Sequence, residues 1–170
     1  EAAQIPIVLS SSHLEESGID QNAPLHLDLR HTNTLTSVLD RLTLGLEQQG
    51  HQSFEWRAQG EFIEVAPTHV FDARDVVLVS YDIDDVLQSM AEYGRAYEEA
   101  VDDVSALLHQ MVNPNAWRDN GGELAHMNVI GGKMFVEAPK RMHAQIEWIL
   151  QQLREDAAEP EADAQGRVPV

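Results

Sequence analysis

Residues 126–139, HMNVIGGKMFVEAP, constrain this chain more than any other stretch. Two apolar runs meet at Gly131-Gly132, a pair that accepts the left-handed backbone of a tight hairpin turn. Pro139 closes the second run, because it has no N–H to give to a ladder. A β-hairpin is predicted here. KRMHAQIEWILQQLRE follows with Met142, Ile146, Ile149, Leu150 and Leu153 on one stripe, the spacing of an amphipathic helix. Upstream, VLVSYDI has β character, and from Asp84 to about Val112 the chain is helical. Val86, Leu87, Met90, Tyr93 and Tyr97 mark the early part and Val101, Val104, Leu107, Leu108 and Met111 the late part. Asp102 and Asp103 are placed to start the later helix, where carboxylates complement the dipole.

The first half offers a second set of elements of the same kind. IPIVLSSS is a short β-branched apolar run that reads as a buried strand ending at three serines. HLEESGIDQNAP then supplies turn chemistry through Gly18, Asn22 and Pro24. LHLDLR alternates Leu25, Leu27 and Leu29 with polar residues and predicts a half-buried strand. NTLTSVLDRLTLGLEQQ sets Leu35, Val38, Leu39, Leu42 and Leu46 at helical steps, with Thr34 as N-cap and Gly50 as the C-terminal stop. SFEWRAQGEFIEVAP predicts two strands joined tightly around Gly60, and THVFDARDVV is open between a helical turn and an irregular connector. The expected fold class is therefore α+β, as two small α/β units with mixed sheets, each with an amphipathic helix and a β-hairpin. The units span residues 1–70 and 71–154. Residues 155–170 have no apolar period and are rich in Ala, Pro, Glu and Asp, so a disordered tail or linker is expected. No exact internal repeat relates the halves.

Composition narrows the function classes. The chain has 170 residues and is 43% hydrophobic, enough to fill such cores. A net charge of −18, with only 11 Lys and Arg scattered along the length, argues against nucleic acid and anionic membrane surfaces. The absence of cysteine removes disulfides, thiolate metal sites and cysteine nucleophiles. No run approaches a membrane span, so direct membrane insertion is not expected. The start, EAAQIPIV, lacks a basic segment followed by an apolar one.

The order of elements resembles a known pairing. Through IPIVLSSSHLEESGID, LHLDLRHTNTLTSVLDRLTLGL and FEWRAQGEFIEV, residues 5–66 resemble the short N-terminal domain shared by secretins and TonB-dependent transducing receptors. Through YDIDDVL, DVSALLHQMVNPNAW, GGELAHMNVIGGKMFVEAP and HAQIEWILQQLR, residues 81–154 look like the ring-building type of secretin N-domain, in the arrangement met in large planctomycete-type envelope proteins. The more specific match is the second, which keeps helix, Trp117, Gly121-Gly122, hairpin and a helix carrying His143 in one order. Two departures stand out. The helix that normally precedes the first strand has no counterpart, so the chain reads either as an excerpt or as lacking its ordered beginning, and SMAEYGRAYEEA (89–100) is extra length. The resemblance implies a non-enzymatic assembly or protein-binding module of the periplasm or cell envelope, with a protein partner or self-association. It implies no cofactor, and it does not extend to a channel-forming barrel.

Residue by residue, the candidate sites favour architecture over chemistry. NPNAWRDNGG (113–122) combines Gly-Gly with Asp and Asn, which lets a backbone approach an anion, but it lacks the Lys-Ser/Thr pair of a phosphate loop. In the structural reading Pro114 ends a helix, Trp117 covers the core between helix and hairpin, and the glycines reverse the chain. Asp82, Asp84 and Asp85, with Asp102 and Asp103, invite a calcium reading that their spacing does not match. The eight histidines (13, 26, 31, 51, 69, 109, 126 and 143) show no zinc-ligand spacing. Ser10-Ser11-Ser12 beside His13 lacks a glycine-flanked nucleophile elbow. The pairs Glu15-Glu16 and Glu98-Glu99 are adjacent and diverge. No catalytic, cofactor-binding or metal residue is assigned. Edge strands are the more credible feature, with LHLDLR and the strands flanking Gly131-Gly132 the first to consider. The rival reading is a hydrolase or metal-binding enzyme whose site assembles from distant residues, and a third is a spacer in a longer polypeptide.

Overall fold

The computed structural model describes residues 5–20, 22, 24–30, 34–50 and 52–158. Two compact units divide the chain, Glu1–Phe71 and Asp72–Val170. The boundary falls inside a helix and one residue beyond the expected one.

In the first unit, strand β1 (Ile7–Leu9) is followed by helices α1 (Ser11–Glu16) and α2 (Leu35–Gly50) and by strands β2 (Phe54–Gln59) and β3 (Phe62–Pro67). The sheet order is β1-β3-β2, with β1 parallel to β3 and β2 antiparallel to it. This sheet is mixed, as expected. Thr34 caps α2 by accepting the Ser37 amide at 3.1 Å, and Leu39, Thr43, Leu46 and Gly50 form its buried stripe. Gly50 is the helix's last residue. A Cβ there would come within 2.7 Å of the Ile19 side chain, so the missing side chain makes room for a core residue. Ile19, Leu39, Leu46, Phe54, Ile63 and Val65 make up the core.

Three expectations for this unit are corrected. The first strand is not buried, since Ile7 and Val8 are 43% and 45% exposed at the margin of the sheet. The stretch after it is not simply a turn: residues 11–16 wind into α1, and Gly18 takes positive φ only beyond it. LHLDLR forms no strand. Leu25 and Leu27 lean on α2 at Gly45, whose side-chain-free surface admits them, while their backbone joins no ladder. The alternation holds for Leu25 and Leu27, which a helix surface shelters as well as a sheet would, and fails at Leu29, which is exposed.

The residues left open at 68–75 form helix α3 (Thr68–Arg74), which leads into the second unit. There β4 (Val76–Asp82), α4 (Asp84–Glu92), α5 (Tyr97–Met111), β5 (His126–Ile130), β6 (Lys133–Pro139) and α6 (Lys140–Ala158) follow in order. Its sheet runs β4-β6-β5 and is antiparallel throughout, not mixed. The hairpin turns at Gly131-Gly132, both at positive φ. The helical stretch breaks at Tyr93–Ala96, so α5 starts thirteen residues after α4 does, at Tyr97. Its first turn carries Glu98 and Glu99, whereas Asp102 and Asp103 lie mid-helix. Helix α6 extends through Ala158, past the expected start of the tail, and residues 159–170 lie outside the described residues. The predicted stripe Met142, Ile146, Ile149, Leu150 lies in the core, joined by Val86, Leu87, Val104, Leu108, Met134 and Val136.

Candidate interaction surface

NPNAWRDNGG is a corner of the second unit in which Ala116 and Trp117 are buried while residues 113–115 and 118–121 are exposed. Asn113 takes left-handed backbone at φ 40°, and two short 3-10 turns, Pro114–Ala116 and Arg118–Asn120, flank Trp117. Trp117 is fully buried, its indole N–H donates to the Val112 carbonyl at 2.6 Å, and the His109 ring meets it edge-on at 4.7 Å. The amides of Leu124 and Ala125 both donate to the Ala116 carbonyl, which folds the loop back on itself. Gly122 is required by that closeness, because a Cβ there would stand 2.3 Å from the Asn115 carbonyl oxygen. Within the loop the amide of Ala116 donates to Asn113, those of Asn120 and Gly122 to Trp117 and that of Gly121 to Arg118, and the Arg118 amide donates to Ala125.

The other sequence candidates are dispersed. Asp85 is paired with Arg154 at 2.6 Å, and that hydrogen bond holds its carboxyl below the usual range. Asp84 accepts from Gln88, and Asp103 pairs with Arg95 at 3.3 Å. The hydroxyls of Ser10 and Ser12 bond each other, and the His13 ring stands 3.5 Å from Glu16. Glu99 accepts the Ala96 amide at the start of α5. His109 lies 3.4 Å from the Asp119 carboxylate without hydrogen-bond geometry, and His31 and His51 lie outside the described residues. Among the described residues no three His, Asp or Glu side chains group around a point that would hold a metal ion.

One buried histidine, read from the sequence as part of a helix and weighed among the eight for zinc, has a structural task. The Nε2 of His143 lies 3.1 Å from the carbonyls of Val77 and Ala138, and its Nδ1 lies 2.8 Å from the Tyr81 hydroxyl. Carbonyls only accept, so Nε2 carries the proton. In the neutral ring Nδ1 then accepts from Tyr81. The imidazole thus pins α6 to β4 and β6. Burial, with a smaller contribution from Glu147, pushes the Tyr81 phenol up to about 12.

What the second unit leaves open is one face of its sheet. Side chains alternate along each strand, so Met127, Met134, Val136 and Ala138 turn into the core under the helices. Leu78, Ser80 and Asp82 of β4, Lys133, Phe135 and Glu137 of β6, and His126, Asn128 and Ile130 of β5 turn the other way. Leu78 is 69% exposed and Ile130 63%, values that put large aliphatic side chains in water on the two edge strands of the sheet. Strand β4 is also an edge, and its polarity can be worked out. The amide of Lys140 donates to the Asp75 carbonyl and that of Ile83 to the Gly132 carbonyl, one bond beyond each end of β4. Bonded pairs in an antiparallel ladder recur at every second residue, so Val77, Val79 and Tyr81 are the ones tied to β6. The amides and carbonyls of Val76, Leu78, Ser80 and Asp82 point away from the sheet. Arg154 donates to the Asp82 carbonyl at 2.7 Å and closes that end.

The edges proposed from sequence fare unequally. LHLDLR presents none because it is no strand, β6 is central, and β5 is an edge whose entry is tied down by the Trp117–Ala125 bridge. Strand β4, which the sequence marked only as extended, is the long edge. No family model matches the chain, and no curated protein matches its sequence.

Proposed function

We propose that the chain is a non-enzymatic protein-binding or assembly module of the cell envelope or periplasm. The observation that carries this reading is the sheet of the second unit, covered by helices on one face and bearing Leu78, Phe135 and Ile130 on the other beside the unblunted edge β4. Native proteins cover, charge or shorten an exposed edge, because free N–H and C=O groups beside apolar side chains template pairing with another chain. Here neither charge nor proline interrupts residues 76–81. The envelope setting rests on the resemblance to secretin N-domains, whose order of helix, Trp117, glycine pair, hairpin and helix this unit repeats.

The test is cross-linking capture from an envelope fraction with the wild-type chain and with a Leu78→Lys/Ile130→Lys variant. Both positions are exposed, so the variant folds. The wild type should enrich specific proteins, or itself, and the variant should lose them. Equal recovery by both forms refutes the reading.

A further inference from the structure

Resting on that reading, we infer that the occupant of the β4 edge is a second copy of the same chain, paired antiparallel about a two-fold axis through Leu78. Three features of the edge select this arrangement. Only Val76, Leu78, Ser80 and Asp82 present backbone groups outward, and the Asp82 carbonyl is already held by Arg154. The usable window is therefore Val76–Ser80, and Leu78 is its centre. An antiparallel copy in register about that centre places Val76 against Ser80, Leu78 against Leu78, and Ser80 against Val76, each a doubly bonded pair. Moving the second copy by two residues in one direction leaves Ser80 facing the helix end at Arg74. Moving it the other way brings the blocked Asp82 into the ladder. Either shift loses a bonded pair.

Charge agrees with this register. At −18 per chain two copies repel in general, so a self-contact needs a locally neutral strip. VVLVS is such a strip. Counting outward from Leu78, Asp82 of one copy falls beyond the start of the other copy's strand at Val76, so the acidic end of each β4 lies outside the paired window. An isologous contact repeats this at both ends. The product is one continuous antiparallel sheet, β5-β6-β4 joined to β4-β6-β5. A two-fold axis perpendicular to the sheet keeps the helices of both copies on one face and brings the two Leu78 side chains together on the other. Of the remaining edges among the described residues, β1 has three residues, β2 carries Glu55 and Arg57, and the five-residue β5 is tied at its entry by the Trp117–Ala125 bridge.

Sedimentation equilibrium of the full 170-residue chain, over a range of concentrations, tests this directly. The wild type should show a reversible monomer–dimer equilibrium. Leu78→Lys, which sets two ammonium groups opposite each other and removes the apolar contact, should raise the dimer dissociation constant at least about thirtyfold. Ile130→Lys, on the same face at the other edge, should leave it unchanged. A wild type that stays monomeric overturns the pairing, as does an Ile130→Lys effect equal to that of Leu78→Lys, which marks stacking of faces in place of edge pairing. If the wild type is monomeric yet Leu78→Lys still abolishes capture of an envelope protein, self-pairing is wrong and the binding-module reading survives. If neither responds, both fall.

Discussion

Replacing Trp117 by alanine should bring the second unit close to unfolding. The side chain is fully buried, and truncating a core Trp to Ala costs about 3–5 kcal/mol in transfer and cavity terms. The indole N–H also serves the buried Val112 carbonyl at 2.6 Å, and stripping a partner from a buried acceptor adds about 1–3 kcal/mol. The sum, about 4–8 kcal/mol by those two principles, is comparable to the whole stability of an ordinary domain, about 5–15 kcal/mol. With a urea slope of about 2 kcal/mol per molar, the midpoint should fall by at least about 2 M. Far-ultraviolet circular dichroism is the suitable probe, because Trp56 and Trp148 remain to confuse fluorescence. Trp117→Phe separates the terms: it keeps most of the ring volume and loses the donor, so a loss of about 1–3 kcal/mol is expected. A Trp117→Ala midpoint within about 0.3 M of wild type, which that slope equates to under about 1 kcal/mol, refutes the corner reading and returns NPNAWRDNGG to the list of binding loops.

Gly122→Ala should cost at least about 2 kcal/mol in the same urea assay, since the added methyl meets backbone at Asn115 and Ala116 that cannot swing aside. Asp85 is held below its usual range by the Arg154 hydrogen bond, so this pair stabilises the fold above the unfolded carboxyl pKa of about 3.9 and the effect fades as pH falls through the lower folded value. With both side chains well exposed, a double-mutant cycle of Asp85→Asn and Arg154→Gln should give under about 1 kcal/mol at neutral pH and shrink on acidification; a coupling that grows in acid contradicts the assignment. Tyr81, pushed up to about 12, favours the fold as neutral phenol below its unfolded pKa of about 10 and loses that contribution as pH rises through 12, so Tyr81→Phe should remove the latest step of the phenolate absorbance titration. Among the described residues the first unit's core is the much smaller one, so Trp56 in a variant lacking the other tryptophans should report unfolding at lower urea than Trp117 in its counterpart; coincident curves would show that the units unfold together.

Legibility in the sequence followed how far each signal depended on local chemistry. The hairpins, α2 with its Thr34 cap and the α6 stripe were readable because turn glycines, caps and helical period are properties of a few neighbouring residues. Trp117 was placed correctly in the core between helix and hairpin, since a large aromatic bracketed by chain-reversing residues has few other places to go. LHLDLR was misread because period-two shelter does not say what does the sheltering. The SSSHLEE segment was misread because a six-residue helix with no buried residue leaves no periodic trace. The tie between His143, Tyr81 and the Val77 carbonyl joins positions more than sixty residues apart, and no local pattern encodes it.

The edge β4 shows a different limit, and it bears on function. VVLVSYD carries apolar residues on both faces, which in sequence is the mark of a strand covered on both sides. In the folded unit Val77, Val79 and Tyr81 face the helices, while Leu78 stands in water. A strand whose cover lies within its own chain and a strand whose cover arrives with another molecule obey the same pattern. Pattern alone therefore cannot separate them. The separation comes from comparing the apolar demand of the strand with the shelter its own fold supplies, and at Leu78 and Ile130 the demand exceeds the shelter. That surplus is why we propose the open sheet, and not the polar loop around Trp117, as the place where a partner would bind.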